Sequence, residues 1–196
     1  MEITANISTL GQMVMRNPRV AADLFPSAIA GYVLQHGNNN ILQVNSGHAV
    51  HYDWTYSNFG NPEFKTLYRR AYKGQWDAED LPWNTQVDPY NPNIAIIPER
   101  LVPGFGEKFY PTDLKTRQKI QHSAISFLLS QFLHGEQGAL IATAKIVGTV
   151  PDMNAKFYAA TQVMDEARHV EAYKRLLHEK FQLAYPINKA LQKLLE

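Results

Sequence analysis

The chain has 196 residues, of which 45% are hydrophobic and 19% charged, and its 19 Lys and Arg almost balance its 18 Asp and Glu. This length predicts one domain and excludes a large modular enzyme. The balanced charge and ordinary hydrophobic content argue against a disordered tail and a strongly basic nucleic-acid binder. There is no cysteine, so any metal ion must be held by His, Asp and Glu.

The amino terminus has no positively charged region ahead of an apolar block, which a secretory signal requires. The longest nearly apolar stretches, such as 28–34 and 139–150, are far shorter than the ~20 residues that cross a bilayer. The sequence therefore predicts a cytoplasmic protein with no membrane span and no nucleic-acid partner.

Residues 1–111 are predicted to form short helices and ordered loops that pack on a helical bundle, within a single domain overall. Gly11 to Leu34 has a loosely helical spacing of apolar residues, which predicts one or two short helices. Glu63 to Lys73 is predicted as another short helix, because Asn61 and Pro62 fit an N-cap and a first-turn proline.

The segment from Pro82 to Pro111 holds six of the eleven prolines, which predicts an extended stretch that wraps the bundle. Two tryptophans and two aspartates lie at or just before its start. They are compatible with an aromatic lid over the bundle or with plain packing, and packing is the preferred interpretation: Trp76, Asp77, Asp80 and Trp83.

Residues 112–196 are predicted to carry a pair of long helices. Thr112 is the candidate N-cap of a first helix of about 35 residues that runs to Gly148. The second helix is predicted over Asp152 to Phe181, ending before Pro186. The turn between them is so short that the two helices must lie antiparallel.

Each long helix has an apolar stripe that is interrupted in its middle by ligand-type side chains. The first stripe carries Glu136 among Leu129, Phe132, Leu133, Leu140, Thr143 and Val147. The second carries Glu166 and His169, which point the same way because they are three residues apart, among Ala159, Gln162, Val163, Val170 and Tyr173. A carboxylate on such a face needs a partner.

Iron and manganese take carboxylate oxygen and imidazole nitrogen, and a Glu-x-x-His pair with a Glu from a neighbouring helix supplies both. Glu136, Glu166 and His169 therefore predict a metal site. The alternative is a buried Glu-His-Glu cluster that is held by hydrogen bonds alone.

Two motifs resemble a known family. The segment Phe132-Leu-His-Gly-Glu-Gln137, followed by Asp165-Glu-Ala-Arg-His169, is similar to the first metal-binding half of the ferritin-like di-iron carboxylate superfamily. The second motif is most similar to the hydroxylase subunits of bacterial multicomponent monooxygenases, and it also resembles the small subunit of ribonucleotide reductase. The match covers about Lys115 to Leu177.

The resemblance implies an all-α, ferritin-like bundle and a di-iron oxidoreductase that activates O2 to oxidise or oxygenate an organic substrate, with an electron donor protein as a possible partner. It also implies that Glu136 and His169 bind one iron, that Glu166 bridges both irons, and that Asp165 and Arg168 orient the ligands. Manganese is an alternative metal, because it accepts the same ligands.

Two further residues of the second helix have two interpretations each. Tyr173 is a candidate redox tyrosine or a buried tyrosine with a satisfied hydroxyl. Gln162 is a candidate lining residue of a cavity beside the metals, or it forms a hydrogen bond across the bundle.

The chain departs from the family in one respect, because the family has two such halves and only one Glu-x-x-His is present. We expect the second half either beyond Glu196 in a longer protein or from a second copy of the chain in a homodimer. The helix predicted over Lys189 to Glu196, capped by Asn188, has an unfinished amphipathic pattern and favours the longer protein. The alternative function is a non-catalytic ferritin-like protein, either iron-handling or a metal-free structural or binding subunit.

Overall fold

The computed structural model describes residues 49–53, 56, 59–88, 90, 91, 98–102 and 104–196, together with 26, 30, 31 and 34. All regular secondary structure in this part of the chain is helical, which confirms the prediction of an all-α fold there. The short helices predicted over Gly11 to Leu34 lie outside the described residues, apart from the four just named. Within the same described residues, no helix is both long and apolar enough to cross a membrane.

The chain divides into two compact units, one of Met1–Asn40 with Tyr185–Glu196 and one of Ile41–Ala184. The boundary that the sequence predicts at residue 111 stays a prediction. In the first unit, helix α4 (Lys189–Leu195) begins as predicted, because the Asn188 side chain accepts a hydrogen bond from a backbone N–H of the first turn. The other elements described below belong to the second unit.

Helix α1 (Pro62–Lys73) begins and ends as the sequence predicts. The Asn61 side chain accepts a hydrogen bond from the backbone N–H of Glu63 at 2.9 Å, and proline occupies the first helical position. At the other end, Gly74 donates its backbone N–H to carbonyls of the last turn. Local capping chemistry is therefore sufficient to define this helix.

Helix α2 (Leu114–Thr149) has 36 residues, close to the predicted length. Its N-cap is Asp113, whose carboxylate accepts a hydrogen bond from the backbone N–H of Thr116 at 2.8 Å. The prediction of Thr112 as the cap was wrong by one residue, because the side chain that reaches the third helical N–H is that of Asp113.

The second long helix is α3 (Met153–Arg175), which Asp152 caps through a hydrogen bond from the backbone N–H of Ala155 at 3.0 Å. The prediction of one uninterrupted helix to Phe181 was wrong, because Leu176–Phe181 form a π-helical turn. This turn buries Leu177 and Phe181 completely or almost completely. It ends at Gln182, whose φ of 52° lies in the left-handed region.

Helices α2 and α3 pack along each other as an antiparallel pair. Near the connecting turn, the Lys156 ammonium of α3 donates to the carbonyl of Val147 at 2.8 Å. At the opposite end, an apolar core cluster joins the two helices, and it consists of Ile125, Leu129, Leu177 and Phe181. Contacts at both ends therefore fix the register of α2 against α3.

One residue of the predicted inward stripe of α2, Phe132, is exposed and not buried. Phe132 is 46% exposed, and its ring contacts Tyr173 edge-on with centroids 6.2 Å apart. Leu129, three residues earlier, is buried and lies about 60° around the helix from Phe132. Phe132 thus lies at the edge of the stripe, and its predicted burial was wrong.

The segment after α1, which leads into the start of the predicted wrapping segment at Pro82, contacts α3 and its π-helical turn. It contains a 3₁₀ turn at Ala78–Asp80, and Arg175 of α3 forms an ion pair with Glu79 at 2.9 Å. Lys180 of the π-helical turn donates to the carbonyl of Thr85 at 2.9 Å and to that of Trp83. In contrast, other aromatic side chains before Pro111 are largely exposed: Tyr52, Tyr56 and Phe109.

Asp152 joins the starts of α1 and α3, and its removal should destabilise the pair. One carboxylate oxygen accepts from Ala155, and the other accepts from the backbone N–H of Asn61 at 3.1 Å. We expect Asp152→Ala to lower the free energy of unfolding by about 2 kcal/mol, measured by urea denaturation, because a cap and a link between helices are lost together.

The matched control is Asp113→Ala, which removes only the N-cap of α2 at an exposed position. Its loss of unfolding free energy should be clearly smaller. Equal losses for the two variants would show that the hydrogen bond between Asp152 and Asn61 adds no stability.

Candidate metal centre

The pairing of α2 and α3 brings the three predicted ligand-type residues together. His169 Nδ1 lies 3.3 Å from a carboxylate oxygen of Glu136 and 3.2 Å from one of Glu166. One donor atom from each residue lies within 4.8 Å of the other two. Glu136 comes from the middle of α2, and the other two come from adjacent turns of α3, so the group exists only because the helices pair in this register.

The group is partly withdrawn from solvent. The side chains of Glu166 and Glu136 are 17% and 24% exposed, and that of His169 is 40% exposed. Burial, followed by the hydrogen-bonding contact with Glu166, raises the pKa of Glu136, while the charge of His169 acts in the opposite direction. Glu166 therefore lies where it disfavours the ionised form of Glu136.

Two of the three donor-atom separations fit a transition-metal ion, and the third lies within 4.8 Å. Two ligands bound at the usual 2.0–2.2 Å and separated by an octahedral or tetrahedral angle lie about 3.0–3.5 Å apart. The two nitrogen-to-oxygen separations at His169 fall in this range. Oxygen and imidazole nitrogen are also the donor types that iron and manganese accept.

Hydrogen bonds also link this group, since Glu136 has a hydrogen-bonding contact with Glu166. His169 Nδ1 carries at most one proton, and carboxylate oxygens of both Glu136 and Glu166 lie beside it. A cation offers a further partner, because it attracts both carboxylates and the unprotonated nitrogen together.

Asp165 and Arg168, which the resemblance assigns to orienting the ligands, pair with each other. Arg168 is 6% exposed, and its guanidinium donates to the Asp165 carboxylate and to the Gln75 side chain. In the described part of the chain, neither Asp165 nor Arg168 forms a hydrogen bond with the three ligand-type residues. Their predicted orienting role stays a prediction.

Trp76 connects this ion pair with the candidate site. Its ring lies 6.1 Å from the His169 ring between centroids, and the Arg168 guanidinium carbon lies 5.3 Å from the centre of the Trp76 ring. The sequence interpretation of Trp76 as plain packing missed this contact, and Gln75 was missed entirely. No periodic signal marks either residue, because both follow the end of α1.

The two remaining candidates lie on α3, one turn on either side of the centre. Tyr173 packs against the apolar core cluster and contacts Phe132. Gln162 is half-buried, one turn before Glu166. Neither belongs to the group of three, and the redox role of Tyr173 and the cavity role of Gln162 stay predictions.

Comparison of the chain with protein-family models, with curated proteins and with solved structures gave no match. The case for the candidate site therefore depends on the geometry of Glu136, Glu166 and His169.

The raised pKa of Glu136 predicts an unusual effect on stability. An acid whose pKa is higher in the folded than in the unfolded state destabilises the fold as pH rises through and above the unfolded value, here 4.5. In metal-free protein with a chelator present, Glu136→Gln should therefore raise the free energy of unfolding at pH 7. The gain should shrink as the pH falls and disappear below about 4.5.

Glu171→Gln is the control, because Glu171 is an exposed carboxylate on α3 outside the group. Glu171→Gln should leave the free energy of unfolding nearly unchanged both at pH 7 and below about pH 4.5. If Glu136→Gln were less stable than the unsubstituted protein at pH 7, then ionised Glu136 would not destabilise the fold, and the prediction would be wrong.

Proposed function

We propose that Glu136, Glu166 and His169 bind iron as one half of a di-iron carboxylate site, and that the protein is an oxidoreductase that activates O2 to oxidise or oxygenate an organic substrate. The observation that carries the proposal is the convergence of three donor atoms from two helices at separations typical of metal ligands. The similarity of the two motifs to di-iron carboxylate proteins supports the choice of reaction.

Each residue has a distinct task in this proposal. Glu136 and His169 hold one ion, and Glu166 reaches between the two ions. Bound iron supplies the capacity to react with O2, which no side chain of this chain supplies alone. Trp76 limits the rotation of the His169 ring by packing against it, so that Nδ1 stays directed at the carboxylates.

A complete di-iron site needs more ligands than these three. Among the described residues, only this group of His, Asp and Glu brings donor atoms together in the way a metal ion requires. We propose that the other ligands come from residues beyond Glu196 in a longer protein or from a second copy of the chain. Sedimentation with and without metal distinguishes the two, because a shared site makes dimer formation depend on the metal.

Metal binding is tested by anaerobic titration with Fe²⁺ and, separately, with Mn²⁺ followed by electron paramagnetic resonance. Removal of residues that merely orient ligands typically costs up to about 100-fold in affinity, so removal of a ligand should cost at least about that much. We expect losses of this size for both His169→Ala and Glu166→Ala.

The control variant is His178→Ala, which removes an exposed histidine nine residues further along the same helical segment. It should bind Fe²⁺ and Mn²⁺ as the unsubstituted protein does. Equal metal affinity for His169→Ala and His178→Ala would disprove the proposed ligand role of His169.

The reaction is tested on protein loaded with Fe²⁺ under anaerobic conditions and then exposed to O2. We expect consumption of O2 and a new ligand-to-metal absorption band, both absent from Glu166→Ala. Organic product together with O2 consumption supports the oxidoreductase. Continued iron uptake and oxidation with no organic product from any substrate would instead favour the non-catalytic, iron-handling alternative.

A further inference from the structure

A cavity of about 440 Å³ lies against the helix that carries His169. One wall comes from α3 and its π-helical turn, and the other from the segment 81–87. His169 itself lines this space, together with Ala172 on the next turn. We call this space the His169 cavity.

The segment that forms the outer wall is firmly attached to the helix. Lys180 donates to the carbonyls of Trp83 and Thr85, and the Arg175 guanidinium carbon lies 4.6 Å from the centre of the Trp83 ring. The Trp83 indole N–H donates to the carbonyl of Ala78 at 2.7 Å, and Ala78 is buried. The wall is therefore a fixed surface.

The chemistry of the lining favours an uncharged ligand. Aliphatic and aromatic carbon dominates the wall, with Leu81, Val87 and Leu176 among the contributors. The strongest polar groups are already bonded within the protein, since Lys180 donates to two carbonyls and the Trp83 N–H to a third. The charged side chain of this lining, Lys180, already gives two of its three ammonium N–H groups to these carbonyls, so a charged ligand would lose hydration there and gain at most one N–H in return.

The volume of the His169 cavity and its position beside the three ligand-type residues both indicate a substrate site. Volumes of about 300–1,000 Å³ are usual for cavities that bind small organic molecules. The His169 ring is shared between this cavity and the group of carboxylates, so a molecule in the cavity lies beside the candidate metal centre.

From these observations we infer that the His169 cavity binds the organic substrate of the protein, as an uncharged, mainly apolar molecule of about the size of one or two aromatic rings. This inference rests on the proposed function, because a substrate role requires a metal at the neighbouring site. The ligand is held by carbon surface on both walls and contacts His169 at one end.

A second cavity, of about 690 Å³, provides the comparison that the test needs. It lies between α1 and α3, and its lining includes Trp76, Asp77, Asp80 and Arg168. None of the three ligand-type residues lines it. Ala160 of α3 belongs to this second cavity and Ala172 to the His169 cavity, so one substitution can be made at two matched alanines of the same helix.

The first measurement is calorimetric titration of metal-free protein with 2-naphthol, which is uncharged at pH 7, and with the anionic 2-naphthoate. We expect 2-naphthol to bind and 2-naphthoate to bind at least about tenfold more weakly. Ala172→Phe should weaken 2-naphthol binding by about tenfold or more, because the added ring fills the cavity, whereas Ala160→Phe should leave it unchanged.

A second variant, Val87→Asp, keeps the test decisive if Ala172→Phe does not fold. Val87 is 42% exposed on the outer wall, so Val87→Asp should fold normally and place a charge on the apolar surface. It should weaken 2-naphthol binding to a similar degree. Failure of 2-naphthol to bind, or equal affinity in all four proteins, overturns the inference while the metal titrations still stand.

The second measurement relates the cavity to the metal. With Mn²⁺ bound, the relaxation of the 2-naphthol protons should be accelerated, and Ala172→Phe should abolish the acceleration. If Mn²⁺ and 2-naphthol both bind without this effect, the substrate role is wrong. If Mn²⁺ does not bind while 2-naphthol does, the proposed function fails, and the substrate role fails with it.

Discussion

The antiparallel pairing of α2 and α3 is the constraint on which the candidate metal centre depends. Glu136 meets Glu166 and His169 only in one register, because a shift of one residue turns a helical side chain by about 100°. Contacts near the connecting turn, including the Asp152 cap, fix the pair at one end. The apolar cluster around Leu177 fixes it at the other. The centre lies between these two anchored ends.

The candidate metal centre brings two acidic side chains together in a partly buried position. Glu136 and Glu166 face each other beside one imidazole nitrogen, and the pKa of Glu136 is raised by burial and by its neighbour. Asp165 and Arg168, only a turn away, compensate each other within an ion pair. A partly buried acid whose pKa is raised by a second acid beside it is typical of a site that binds or reacts, whereas the Asp165–Arg168 ion pair is typical of a structural contact.

His169 is the residue at which the different parts of the second unit meet. Its Nδ1 faces the two carboxylates, and its ring packs near Trp76, which in turn contacts the buried Arg168. The same side chain lines the apolar cavity under the segment 81–87. In the function proposed above, His169 would bring the two requirements of a selective oxidation together, a metal position and a place for an organic molecule.

The sequence by itself determined the local features: both ends of α1, the start of α4, the two long helices with their antiparallel course, and the three residues that converge. These follow from capping side chains and from the 3.6-residue period, which act over a few neighbouring residues. Only the tertiary structure decided the π-helical turn, the exposure of Phe132, the contact of Trp76 with His169 and the cavity under Trp83. The last two join residues about 90 positions apart through irregular segments that pack on a helix, and such packing has no period that a sequence pattern can reveal.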